Sequence, residues 1–132
     1  MTASILIIDD EEYRQKWLTD ILEKAGFTTR SALDANQALE QMHETKFDLA
    51  FFDHDLGYGD NGSQLATQII THSKYKCPTA VWVHSQNWRG SQNIATKFRN
   101  VRVRVRVQDI SSCMEYHENF IENVKSILAG EE

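Results

Sequence analysis

Apolar runs of strand length alternate five times with stretches of helical spacing along this chain, and that alternation leaves few architectures open. Residues 4–9 (SILIID) form a nearly continuous apolar run, the pattern of a strand covered on both faces. Residues 11–25 then place Tyr13, Trp17, Leu18, Ile21 and Leu22 about one helical turn apart, and Gly26 stops the helix. Residues 27–32 read as a short second strand, and Asp34 is placed to cap a second helix carrying Ala35, Ala38, Leu39 and Met42. Residues 47–53 (FDLAFFD) are another buried strand, followed by a Gly- and Asp-rich loop over 54–61. A third helix is expected over 62–73, with Leu65, Ala66, Ile69 and Ile70 on its apolar face. Cys77-Pro78 leads into a fourth strand over 79–84, and a fourth helix is expected over 92–99 with Ile94, Ala95 and Phe98. Residues 101–107 alternate strictly as VRVRVRV, a strand with one apolar face. Ser112 and Glu115 form a capping-box pattern ahead of a last helix with Phe120, Ile121, Val124, Ile127 and Leu128.

Strands alternating with helices call for a parallel sheet covered on both faces, a three-layer α/β/α domain. Right-handed crossovers favour the flavodoxin-like strand order 2-1-3-4-5. At 132 residues with a single proline, Pro78, the chain has enough length for a core and no long linker, so residues 1–132 are expected to form one domain. A net charge of −5 argues against whole-surface binding to nucleic acid. With no apolar run near 18 residues and no basic-then-apolar leader, a cytoplasmic protein that does not span a membrane is expected. Cys77 and Cys113 fit no zinc spacing, and two reduced thiols are the simplest reading.

In such a sheet the ligand crevice lies beyond the C-terminal ends of the strands, near the switch point between strands 1 and 3. Asp9-Asp10 closes strand 1 and Asp53 closes strand 3, so three carboxylates converge there. Acids this close resist ionisation together unless a cation sits among them, and Mg²⁺ (or Mn²⁺) answers that need with hard oxygen ligands and room for a phosphate. Capping of the following helix is the competing explanation for Asp10 alone, but it explains neither the doubled Asp nor the location.

ILIIDDEE followed by FDLAFFD resembles the CheY-like receiver domain of two-component response regulators over nearly the whole chain. The resemblance implies that the matching acids bind Mg²⁺, that Asp53 accepts a phosphoryl group from a histidine kinase or other phosphodonor, and that the main-chain carbonyl of Asp55 completes the metal shell. It also implies a hydroxyl at the end of strand 4, where Ser85 stands. Receivers carry a Lys, usually followed by Pro, at the end of strand 5, whereas here Val107 is followed by Gln108-Asp109. Loss of that cation weakens phosphoryl stabilisation, and Arg106 and Lys97 are the candidates to replace it.

Two further motifs, DHDLG at 53–57 and VHSQN at 83–87 with Gly90 and Asn93-Ile94 beyond it, resemble a divergent receiver branch that processes cyclic phosphates of nucleotides or RNA ends. On that resemblance His54 and His84, at neighbouring strand ends, serve as acid/base groups with Asp53, and Ser85 and Asn87 contact phosphate. Arg102, Arg104 and Arg106 line one face of strand 5. They are read as an edge strand's charges pairing with Glu115 and Glu118, rather than as a phosphate stripe or a homodimer surface on the helix 4–strand 5–helix 5 face. Trp82 is expected in the core, and Trp88, in a loop, is the aromatic placed to stack on a base. Two functions from different classes follow: a receiver that binds Mg²⁺ and is phosphorylated on Asp53, or a metal-dependent phosphoesterase.

Overall fold

The computed structural model describes residues 2–53, 61–85, 87–110 and 119–130. Five parallel strands, β1 (Ser4–Ile8), β2 (Thr28–Ala32), β3 (Leu49–Asp53), β4 (Ala80–His84) and β5 (Arg104–Val107), lie in the order β2-β1-β3-β4-β5. Among the described residues the helices between and after them are α1 (Glu12–Lys24), α2 (Ala35–Glu44), α3 (Gly62–Thr71), α4 (Trp88–Asn100) and α5 (Phe120–Ala129). The fold is the flavodoxin/CheY-like three-layer arrangement that the alternation of elements predicts.

Side-chain alternation along the central strands sorts the core into two halves. Leu6, Ile8, Ala50, Phe52, Val81 and Val83 face one side, where they pack with Ala38 and Met42 of α2, Leu65 and Ile69 of α3, and Ile94 and Phe98 of α4. Ile5, Ile7, Leu49, Phe51, Ala80 and Trp82 face the other, against Leu18 and Leu22 of α1 and Phe120, Val124 and Ile127 of α5. The strand residues of both sets are completely buried, which is why β1, β3 and β4 read as unbroken apolar runs. Continued to the strand ends, the second set leads to Asp9, Asp53 and His84. All three therefore project toward the α1 side of the sheet.

Two element starts and the facing of Tyr13 depart from what the sequence suggests. Helix α4 begins at Trp88 rather than Gln92, because Asn87 caps it by accepting from the Gly90 amide at 2.9 Å. Trp88 is thus a helix residue, 69% exposed. Strand β5 begins at Arg104 rather than Val101: the Val101 and Arg102 amides donate to Phe98 and Arg99 carbonyls, and Arg102 takes a left-handed φ of 65°. Tyr13 does not join the apolar face of α1 but stands 69% exposed in its first turn.

The turn also breaks up the expected arginine stripe. Arg104 donates from Nε to the Ile127 carbonyl and from Nη2 to the Leu128 carbonyl, both at 3.1 Å, and so satisfies the C-terminal end of α5. Arg106 lies over the Trp82 ring, 5.1 Å from its centroid, and donates to Gln108 Oε1 at 2.8 Å. Glu115 and Glu118 lie outside the described residues, as does the capping-box pair. Arg104→Met keeps the aliphatic stem and removes both bonds to α5. It is expected to cost about 1–2 kcal/mol, read as a drop in the thermal midpoint.

Candidate metal centre

Asp9, Asp10 and Asp53 each bring a carboxylate oxygen within 4.8 Å of the others'. The parallel register that pairs Ile8 with Phe52 aligns the ends of β1 and β3, and this is what gathers the acids at the switch point. Asp9 is fully buried and Asp53 is 4% exposed, whereas Asp10 faces solvent. Partial burial and then the Asp9 charge push the Asp10 carboxyl above the usual carboxylate range. Hard oxygen donors at this spacing suit Mg²⁺ or Mn²⁺. Asp55, whose carbonyl was expected to complete the shell, and His54 lie outside the described residues.

A cation from the protein stands among the acids, and it comes from helix α1. Arg14 Nε donates to Asp9 Oδ2 at 2.8 Å, and its Nη2 donates to Asp9 Oδ1 at 2.9 Å and to Asp53 Oδ2 at 3.2 Å. The bidentate bond to Asp9 raises the guanidinium pKa well beyond its ordinary value. Asp9 is further fixed by the Glu11 amide, which donates to Oδ1 at 2.8 Å, while Gln15 Nε2 ties its carbonyl to that of Ala32. Arg14 escaped the sequence reading because a basic residue on the polar side of an amphipathic helix looks solvated. The available signal was its place one turn into a helix that starts at the doubled acid, since helical side chains lean toward the N-terminus. Lys97, expected as a replacement for the strand 5 lysine, instead donates to Ser63 Oγ at 2.7 Å and Thr67 Oγ1 at 2.9 Å, joining α4 to α3. Arg106 is engaged with Trp82 and Gln108, as above.

His84 pairs in register with Asp53 across β3 and β4. Its imidazole is 3% exposed, with Nε2 3.5 Å from Asp9 Oδ2 and no hydrogen-bond partner among the described residues. Burial lowers its pKa to about 4; Asp9 and Asp109 oppose that shift and Arg14 adds to it. The side chain is therefore a neutral imidazole at pH 7. Ser85 lies one residue past the strand, and its Oγ accepts from the Asn87 amide at 3.0 Å. Asn87 Oδ1 caps α4, so both expected phosphate contacts sit in the β4–α4 turn beside His84. No described helix is long and apolar enough to cross a membrane. Cys77 is a free thiol, raised in pKa by burial, and Cys113 lies outside the described residues.

Solved structures with the same fold include a two-component response regulator from Clostridium difficile, at 22% identity and a TM-score of 0.74, with 97% of each chain covered. A CheY-like receiver domain protein from Methanospirillum hungatei matches at 18% identity and 0.70, covering 98% of this chain and 96% of that one. The response regulator TrrA from Thermotoga maritima, in complex with Mg²⁺-BeF, matches at 19% and 0.66, covering 96% and 99%. At such identities the likeness establishes the fold. No curated protein matches the sequence. The family model described as the cyclic-phosphate processing receiver domain matches residues 4–100. With that match spanning most of the chain, and with the acid cluster at the receiver's switch point, the chain belongs to the cyclic-phosphate processing receiver family.

Proposed function

We propose that this domain is a metal-dependent phosphoesterase that opens cyclic phosphates of nucleotides or RNA ends, with His84 as its proton acceptor. The observation that carries the reading is the buried His84 imidazole beside Asp9, its Nε2 without a hydrogen-bond partner among the described residues. An orphaned buried nitrogen is costly, and a ligand proton would satisfy it. Asp9, Asp10 and Asp53 would hold Mg²⁺ or Mn²⁺, which when bound supplies positive charge to phosphate oxygens. A neutral imidazole takes a proton from water as the water oxygen bonds to phosphorus. The bond from phosphorus to a ribose oxygen breaks, and the proton passes to that oxygen. His54 is the second acid/base candidate, Ser85 and Asn87 are the phosphate contacts, and exposed Trp88 offers a face for a base.

A second reading keeps Asp53 as a phosphoryl acceptor for a histidine kinase or small phosphodonor, and the acid cluster supports it equally. One experiment separates the two. Wild type, Asp53→Asn and His84→Ala are incubated with Mg²⁺ and either acetyl phosphate or 2′,3′-cyclic AMP. The proposal expects monophosphate to be released and the rate to fall about 10²–10⁴-fold in His84→Ala. A phosphoprotein that needs Asp53, with no turnover of the cyclic nucleotide, would establish signalling and end the enzymatic reading.

A further inference from the structure

The acid cluster contains a cation, but the cation is not where the receiver fold usually provides one. Strand β5 is followed by the neutral Gln108, whose carbonyl accepts from Trp82 Nε1 at 3.0 Å and whose side chain accepts from Arg106. The charge comes instead from α1, which packs on the face of the sheet where Asp9, Asp53 and His84 emerge. The geometry points to Arg14 as the site's phosphate-clamping residue, held in reserve across Asp9 and Asp53 and released when a divalent cation takes its place. This rests on the reading that the site handles phosphate beside a metal.

Three observations support the assignment. First, Nη2 of Arg14 bridges Asp9 Oδ1 and Asp53 Oδ2, so it spans two of the three carboxylates that would hold a cation. A metal ion bound to those oxygens and a guanidinium bridging them are mutually exclusive. Second, the three carboxylates lie within 4.8 Å of one another and together carry more charge than one guanidinium balances. Arg14 therefore stabilises the metal-free cluster without saturating it, and a divalent ion neutralises the remainder. Third, Arg14 keeps 29% of its side chain exposed while Asp9 keeps none, so the guanidinium lies at the mouth of the site. Freed from both Asp9 and Asp53, it presents its planar fork to solvent beside the metal position, and that fork matches two phosphate oxygens.

Two ligand titrations and one spectroscopic measurement test this on the purified protein. Mn²⁺ alone is titrated into wild type, Arg14→Gln and Arg14→Lys, each first checked for a cooperative thermal transition. Orthovanadate is then titrated at saturating Mn²⁺. Arg14→Gln is expected to bind Mn²⁺ about tenfold more tightly, because the competing cation is gone, and vanadate about tenfold more weakly. Arg14→Lys should not recover the vanadate affinity, since an ammonium lacks the fork. In wild type, the Arg14 Nε–H proton resonance should be protected from solvent exchange in EDTA and lose that protection at saturating Mg²⁺. Equal or weaker Mn²⁺ binding by Arg14→Gln overturns the inference. So does unchanged protection in Mg²⁺, and this measurement needs no variant to fold. Lack of cyclic-nucleotide turnover with the opposed Mn²⁺ and vanadate shifts intact would remove the proposed reaction and leave Arg14's role standing. Turnover without those shifts would do the reverse.

Discussion

Replacing Gly62 with alanine is expected to destabilise the protein by about 3 kcal/mol and to displace Asp53, although alanine is the better helix former. Gly62 opens α3 behind the Asn61 cap, where a glycine-to-alanine change ordinarily gains about 0.5–1 kcal/mol. Here a Cβ would stand 2.5 Å from the Asp53 carbonyl oxygen and 2.8 Å from Ile94 Cδ1. The first of these is backbone and cannot rotate away, so β3 or the start of α3 must shift. Strand β3 is buried on both faces and α3 is packed through its apolar face, which makes the shift expensive. For a domain of this size the loss amounts to roughly 10 °C in the thermal midpoint. Because the residue pushed is Asp53 itself, Mn²⁺ affinity should fall together with stability. Ile94→Val removes the Cδ1 contact only, so the double variant should recover part of the stability and little of the metal binding. A Gly62→Ala protein that melts within two or three degrees of wild type, by the same conversion, would show that the strand end yields easily.

The contrast between Gly62 and the acids explains what could be read in advance. Asp9, Asp10 and Asp53 end apolar runs that have only one burial pattern open to them, so fold and site emerge from the same signal. The strand order followed from the alternation of elements and was observed as expected. The start of β5 was illegible because VRVRVRV alternates just as well through a turn; only the amides of Val101 and Arg102, committed to α4, reveal the difference. The start of α4 lacks an apolar period until Ile94, although the Asn87 cap was there to be read. Arg14 and Gly62 are harder cases. Their roles depend on what lies across a tertiary contact, an acid pair for one and a carbonyl for the other, and neither leaves a periodic trace.

His84 links stability and chemistry through a single proton. In EDTA, the thermal stability of wild type is expected to fall as pH drops from about 6.5 toward 4, by about 3 kcal/mol more than that of His84→Gln. The sign follows from proton counting. An unfolded chain binds a proton at this imidazole near the ordinary value of 6.5, while the folded protein resists until about 4. Between those values the unfolded state holds the extra proton, so acidification favours it; above 6.5 neither state does, and the dependence vanishes. Desolvation drives the depression and Arg14 adds to it, while Asp9 and Asp109 oppose it. Other carboxylates titrate at the lower end of the same window, so the difference between wild type and His84→Gln, not either curve alone, is the readout. Parallel curves from pH 6.5 to 4 would mean that the buried imidazole is not held neutral. The same depression shapes the proposed reaction. A proton acceptor with an ordinary imidazole pKa loses most of its rate by pH 5.5, whereas His84 should keep hydrolysis of 2′,3′-cyclic AMP nearly level down to about pH 5. An acid limb centred near 6.5 would place the proton acceptor elsewhere, with His54 the first residue to substitute.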